Sequence, residues 1–405
     1  MKNLFYLFLL LSTLSAKSQI SMSGSITSHV NNLIDNLPGS GGLEYSNPSP
    51  AEYSSWETLI TNFISGANVS TSAASFEYDF IEFIDSSRQY FILQPSAGGS
   101  RHWGIYVFNY SYCRELVIQA PHPKYDFNTA KEAIYVMKKS RALLCAIAGT
   151  HRCNHTLNSG CSGTTSVCGG TGLPFKISDL AHNDSSAFQA TTASIFNLYP
   201  TTTFLQLHGF TKGPTDPYVI LSNGTRDLPF NDNIDALKTS LAMIDPVLDF
   251  KVAHVDLTWN RLIGFTNTQG RFINSSGNPC STSAIASSGK FIHMEQEKTR
   301  LRDDSTKWEV VSQAINNSFP CLTSVFQMVP AAKLYPNPAQ HMVRVETTSI
   351  ILEYKIYSMI GQLMHTQSVN SDSFTVDVSS LPTGVYSINL KSGKSETINS
   401  TLVVE

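Results

Sequence analysis

Beyond its first residues this chain has no run approaching the roughly 20 apolar residues that a membrane span requires. It has no excess of basic charge. Its 28 Lys and Arg stand against 31 Asp and Glu, and the net charge of −3 implies no polyanionic partner. Nucleic-acid-binding features are absent, as are Gly-rich loops of the kind that cradle phosphates. No G-x-S-x-G occurs, which argues against a serine hydrolase of the nucleophile-elbow type. Lysine is modest while Ser and Thr are abundant, a balance common in exported proteins.

What is present is globular: 405 residues, 41% hydrophobic and 10% aromatic. That length exceeds one ordinary core and suits one large domain with a small one. The first residues predict export. Lys2 gives a positive start, Leu4–Leu14 is an apolar run, and Ala16-Lys17-Ser18 fits a small-x-small cleavage site. Residues 1–18 therefore read as a signal peptide with Gln19 as the new N-terminus; the alternative is a membrane anchor. Export permits disulfides. Among the seven cysteines, Cys153, Cys161 and Cys168 share a Gly/Ser/Thr-rich loop. A stapled loop is preferred there to a zinc site around His151 and His155. Cys145, in an apolar strand, reads as a buried free thiol. Cys280 and Cys321 each follow a proline and are candidates to pair, although connectivity does not follow from sequence.

From about Leu116 to Gln296 strand and helix patterns alternate, which predicts an α/β fold. Its sheet is expected to be mixed and mainly parallel, with helices on both faces. Strands are expected at Leu116–Ala120, Ala142–Ala148, Thr203–Leu207, Tyr218–Leu221, Lys251–Val255 and Lys290–Met294. Helices are expected from a capping box at Thr129 and Glu132, at Ser185–Asn197 with Asp184 as N-cap, at Asn231–Met243 and at Ser305–Asn316. Before this region, helices are expected near Ile26–Leu37 and Ser54–Ile64, and a strand at Gln89–Gln94. This domain spans 19–330. After it, six short alternating strands between Met342 and Val404 predict a small all-β sandwich over 331–405.

Ligands of open α/β sheets bind outside the carboxyl ends of the strands. Three segments place chemistry there. His122 and Asp126 follow the strand ending at Ala120; His208 ends a later strand; His293 and Glu295 lie on the last. Two imidazoles and a carboxylate suit a mononuclear zinc site with one open position for water, and a further carboxylate suits a general base. Gly209 after His208 would let substrate approach. Arg152 follows the strand Ala142–Ala148 and suits a substrate carboxylate or carbonyl. Each has a plainer alternative: an Asx turn for Asp126, Lys298 or Arg300 as partner of Glu295, Asp179 as partner of Arg152. His151, His155, His182, His254 and His293 compete for any metal, His182 most strongly as a pocket residue.

Two resemblances sharpen these expectations. The blocks LYPNPA, YKIYSMIGQ, VDVSSLPTGVYSINL and the terminal LVV resemble the C-terminal sorting domain of type IX secretion cargo. This implies a Bacteroidetes-type source, a secreted or cell-surface location and engagement of the secretion machinery. The segment PHPKYDFNTAKEA resembles the first metal motif of zinc-dependent amidohydrolases and exopeptidases of the phosphorylase/hydrolase-like fold. That group includes zinc carboxypeptidases, N-formylglutamate amidohydrolases and poly-γ-glutamate hydrolases. The resemblance implies zinc on His122, Asp126 and His208, Glu295 as base, and Arg152 and Asn223 as substrate anchors beside His182. The substrate would be a small molecule or peptide with an amide bond. The spacing departs from the carboxypeptidase His-x-x-Glu, because three residues separate His122 from an Asp. A surface binding protein that kept such a fold without catalysis is the alternative.

Overall fold

The computed structural model describes residues 20–321, 332–358, 361–392 and 397–405. The expected signal peptide and Gln19 lie outside the described residues. The amino-terminal part contains β1 (Ile20–Ser23), α1 (Ile26–Asp35), α2 (Pro50–Ile64), α3 (Ser70–Ala74), β2 (Tyr78–Asp85), β3 (Arg88–Pro95), β4 (Ile105–Asn109), β5 (Arg114–Ala120) and α4 (Thr129–Ser140). There follow β6 (Ala142–Ile147), α5 (Ala187–Leu198), β7 (Thr203–Phe210), β8 (Val219–Ser222), α6 (Asn233–Ile244), β9 (Phe250–Val252), α7 (Thr268–Ile273), β10 (Phe291–Glu297) and α8 (Ser305–Ser318).

These strands form one ten-stranded sheet in the order β1-β2-β3-β4-β6-β5-β7-β10-β8-β9. Five of its neighbouring pairs are parallel and four antiparallel. The sheet is mixed, and the run β6-β5-β7-β10 at its middle is wholly parallel. Strand β6 (ALLCAI) is buried at every residue, as a strand covered on both faces must be.

Alternation sorts the strand residues onto the two faces. Ile118, Cys145, Leu205 and Ile292 face a core completed by α1, α4, α6 and α8. Val117, Leu144, Phe204 and Phe291 face the opposite core, completed by α2, α3, α5 and α7. On β7 and β10, residues in step with Phe204 and Phe291 are Gln206, His208, His293 and Glu295. The functional side chains therefore stand on the α5/α7 face, towards the carboxyl ends of parallel strands.

Helix starts differ from the sequence pattern. Ser49 and Glu52 form the capping box, with Pro50 as first residue of α2, so that helix begins four residues before the expected Ser54. At α4 the N-cap is Asn128, in the left-handed region at φ 64°. The Thr129 hydroxyl donates to Asp126 O instead of capping, and Glu132 turns inward to accept from Gln296 Nε2 at 3.0 Å. Ser186, not Asp184, caps α5 by accepting from Gln189 N.

Glu132 is wholly buried, and among the described residues one of its carboxyl oxygens has no partner. Burial pushes its pKa up to about 8 from the ordinary 4.5. The folded state therefore holds a proton that the unfolded state releases near pH 4.5. Stability is fully present below that pH and is lost as pH rises through about 8. Thermal unfolding of Glu132→Gln is expected to fall less between pH 5 and 9 than that of the native protein. An identical fall in both would remove Glu132 from the account.

Residues 333–405 form a second sheet of β11 (Lys333–Tyr335), β12 (Met342–Ser358), β13 (Leu363–Asp377), β14 (Gly384–Ser392) and β15 (Thr397–Val404). Its neighbours pair antiparallel in the order β11-β12-β14-β15, and β13 also pairs β12. The sheet curls towards a barrel around Val343, Tyr354, Ile356, Ile388 and Leu402. Two of the expected turns are absent. Strand β12 continues from Met342 to Ser358 through register shifts near Ile351, where two strands, Met342–Thr347 and Glu353–Ser358, are expected, and β13 runs unbroken where Gln362–Ser368 and Ser373–Val378 are expected. Bulges bend a strand without ending its ladder.

Three disulfides are present: Cys113–Cys321, Cys153–Cys168 and Cys161–Cys280. The expected Cys280–Cys321 pairing is corrected, because each reaches across the fold to a different cysteine. Cys145 is a buried free thiol, and burial raises its pKa.

Candidate metal centre

Parallel pairing of β7 with β10 sets Glu295 beside His208 and His293 beside Gln206. The loop after β5 turns back over these strand ends and delivers His122 and Asp126. Asp126 Oδ2 lies 3.1 Å from His122 Nδ1 and 3.4 Å from His208 Nδ1. The two imidazoles meet edge to face, with centroids 4.9 Å apart. All three residues are buried. The Asx-turn alternative for Asp126 falls away, since its carboxylate is spent on the histidines.

The far nitrogen of each imidazole is held. His122 Nε2 donates to Asp179 Oδ1 at 2.9 Å, and His208 Nε2 donates to Gln206 Oε1 at 2.8 Å. Both rings therefore offer Nδ1 to Asp126, in the outer-partner arrangement that fixes tautomer and orientation in metal-ligating histidines. Gln206 is fully used. It gives Nε2 to Gln119 and Gln269, and takes a second bond on Oε1 from Asn267. Gln119 in turn donates to Thr192 of α5. A satisfied buried network of this kind is rigid.

Charge at the cluster is unbalanced in an informative way. Burial lowers the pKa of His208 to about 4, so the ring is neutral near pH 7. With Nε2 bonded to Gln206, His208 turns Nδ1 towards the Asp126 carboxylate. Burial opposes ionisation of Asp126, but the two histidines prevail and hold its pKa below the ordinary range. His208 Nδ1 lies 3.4 Å from Asp126 Oδ2. Burial and Arg152 oppose a charge on His122, yet Asp179 and Asp126 raise its pKa overall. These three residues form a group that could hold a metal ion, and two imidazoles with one carboxylate would be a donor set suited to zinc.

A cavity of about 390 Å³ opens over the cluster, lined by His122, His208, Arg152, His182, His293 and Glu295 among others. Glu295 Oε1 is 3.8 Å from His293 Nε2, and among the described residues Glu295 Oε2 and His293 Nδ1 have no hydrogen-bond partner. Burial, then the Asp126 charge, push the Glu295 pKa up to about 8. Burial likewise holds His293 neutral, stacked on His208 at 4.2 Å. The alternative partners of Glu295 are engaged elsewhere: Lys298 with Asp303, Arg300 with Asp245.

Arg152 Nε and Nη2 both donate to Asp179 Oδ2, at 3.0 and 2.5 Å. The guanidinium also lies over the Tyr125 ring at 5.4 Å. Arg152 thus makes the plainer pairing with Asp179 and also lines the cavity. His182 stacks flat on Phe175 at 3.6 Å and donates Nδ1 to Thr266 O, which leaves Nε2 as an acceptor; burial lowers its pKa to about 3. The cavity wall at Thr164–Val167 is pinned on both sides, since Cys161 and Cys168 are each disulfide-bonded to another segment.

Two expectations are corrected. Asn223 does not line the cavity; its side chain serves its own turn, donating to Asp227 O and accepting from Thr225 N. Gly209 does not face substrate. As the strand neighbour of His208 it points the other way, where a Cβ would fall 2.1 Å from Arg302 Cζ. Gln206 was missed, although its spacing of two from His208 already put both on one strand face. The sequence offers Asp179 only as a partner of Arg152. Nothing local marks it as the acceptor for His122, which is 57 residues away.

Among curated proteins none is significantly similar in sequence to the chain. An N-formylglutamate amidohydrolase from Ralstonia eutropha aligns in structure over 51% of this chain and 91% of its own, at 10% identity and a TM-score of 0.29. An aspartoacylase family protein from Mesorhizobium loti aligns over 79% of this chain and 95% of its own, at 12% identity and a TM-score of 0.29. An immunoglobulin-like β-sandwich protein from Bacteroides vulgatus covers 18% of this chain and 91% of its own, at 13% identity and a TM-score of 0.16. Among the described residues no helix is long and apolar enough to cross a membrane. Residues 333–405 match the family model of the secretion system C-terminal sorting domain; this segment is such a domain, and the protein is one exported to the cell surface or beyond it.

Proposed function

We propose that the region before the sorting domain, 19–330, is a zinc-dependent hydrolase of amide bonds that works outside the cell. The observation that carries this reading is the convergence of His122 Nδ1, His208 Nδ1 and Asp126 Oδ2 on one another, with a cavity alongside. His122, Asp126 and His208 would hold the metal. Bound zinc would supply Lewis acidity and bring the pKa of water towards neutrality. Glu295 stands beside His208 in the same cavity, so its carboxylate takes the proton of the attacking water and passes it to the leaving amine. Next to a dication its ionised form is favoured, which offsets the burial that raises its pKa.

Arg152 orients the substrate. Asp179 occupies Nε and Nη2, and among the described residues Nη1 has no protein partner, so it serves an anionic or carbonyl oxygen. Burial of most of its guanidinium strengthens that contact. His182 adds a neutral acceptor at Nε2. Peptides and N-acyl amino acids carry the groups these residues recognise.

Purified native protein is expected to hold about one equivalent of zinc by elemental analysis, and His208→Ala well under half. Hydrolysis by His208→Ala should fall to background across a panel of peptide and N-acyl substrates. Less than half an equivalent in the native protein, with added zinc restoring no hydrolysis, would sink the proposal. Zinc bound without turnover on any substrate would point instead to a surface binding protein.

A further inference from the structure

Arg302 is buried, and among the described residues its guanidinium forms no salt bridge, although its charge reaches Glu132, Glu295 and Glu297. Among the described residues its side chain gives all of its hydrogen bonds to main-chain carbonyls. It comes at the end of a π turn, Lys298–Arg302, which folds the chain back behind β10. Nε donates to Gln296 O at 3.1 Å, Nη1 to Phe127 O at 2.5 Å and Nη2 to Phe210 O at 3.3 Å. Those carbonyls belong to three different segments. Gln296 follows Glu295, Phe127 follows Asp126, and Phe210 stands two residues after His208. One guanidinium thus meets the three segments that bring the proposed base and two proposed metal ligands together.

The tie is reciprocal. Asn128 Nδ2 donates to Arg302 O at 3.0 Å and to Asp303 O at 2.9 Å, and Trp308 Nε1 donates to Arg302 O at 3.0 Å. Arg302 cannot swing away without releasing the loop that carries Asp126. The glycine at position 209 has its reason here, since any Cβ would displace the guanidinium. A planar group with donors in a fixed fork can reach three carbonyls at once, and a lysine ammonium cannot do so in the same geometry.

We propose that Arg302 is the positioning residue of this centre. It touches neither cavity nor ligand atoms; it fixes the mutual placement of Asp126, His208 and Glu295 through their backbones. This inference rests on the zinc reading given above. Outer partners of metal ligands typically change metal affinity by about 10- to 100-fold, and Arg302 is expected to act in that range.

The test compares the native full chain with Arg302→Lys, Arg302→Met and Gly209→Ala. Zinc affinity is measured by competition with a chromophoric chelator, the fold by thermal unfolding without metal, and turnover by kcat and KM separately. All three variants are expected to bind zinc at least about 10-fold more weakly. They should lose kcat with KM little changed, and lysine should not rescue. Gly209→Ala keeps every charge and only pushes the guanidinium, so it decides the matter if the Arg302 variants do not fold. Native zinc affinity and kcat in Gly209→Ala, or a lowered unfolding temperature with unchanged affinity in a folded Arg302 variant, overturns the proposal. Failure of the native protein itself to bind zinc sinks the zinc reading and this inference together. Native binding with unaffected variants sinks only the role of Arg302.

Discussion

Glu295→Gln is expected to lower kcat by about 10²–10⁴-fold while the protein still takes up one equivalent of zinc. The substitution keeps the shape of a side chain that stands beside His208 in register and presents an unpartnered oxygen. It removes only the capacity to take and return a proton. Zinc content and thermal stability near pH 7 should therefore be nearly native, and the loss should appear in kcat. Near-native turnover in Glu295→Gln would falsify the assignment of Glu295 as base. A parallel loss of zinc would show that the carboxylate serves as a ligand.

Asp179→Ala should be the most damaging substitution for the assembled site. One carboxylate serves two buried groups, His122 through Oδ1 and Arg152 through Oδ2. Its removal leaves a guanidinium in the interior without a counter-charge, which costs about 3–5 kcal/mol. For a fold of this size the unfolding temperature falls by roughly 10 °C. His122 also loses the bond that fixes its tautomer, so zinc affinity should drop by about 10- to 100-fold. Asp179→Asn retains an acceptor and should fall between. The pH dependence has a definite sign. Burial opposes ionisation of Asp179, but Arg152 and the neighbouring histidines outweigh it and depress its pKa. Its contribution is present above the unfolded carboxylate value and is lost as pH falls below it. Acid unfolding should accordingly begin at lower pH in the native protein than in Asp179→Asn. Coincident acid transitions would exclude Asp179 as the group responsible.

How far the sequence reveals all this depends on the range of the interaction. The α/β alternation was legible because periodicity is local: β6, β7 and β10 read as strands from their own residues. His122, Asp126 and His208 could be nominated because each sits at a strand end, where the fold class alone locates ligands. Glu132 and Thr129 misled for a related reason. Their spacing imitates a capping box, but the Thr129 hydroxyl turns back to Asp126 and the Glu132 carboxyl inward to Gln296. Asn223 was nominated through a loose motif match, and only the antiparallel placement of β8 beside β10 shows that its turn lies away from the cavity. The disulfide partners join residues as far as 208 positions apart, a separation at which local pattern carries no information. Gly209 and Arg302 belong together for a reason that exists only in three dimensions.

The Cys113–Cys321 bond has a mechanical consequence. Cys113 directly precedes β5, which lies between β6 and β7 in the middle of the sheet, and Cys321 is the last described residue before the segment leading to the sorting domain. Tension on the chain beyond residue 321 therefore passes through sulfur into the centre of the sheet. It does not peel α8 from its neighbours. A protein exported by a signal at its carboxyl end can thus be drawn by that end without unravelling the helix nearest the load.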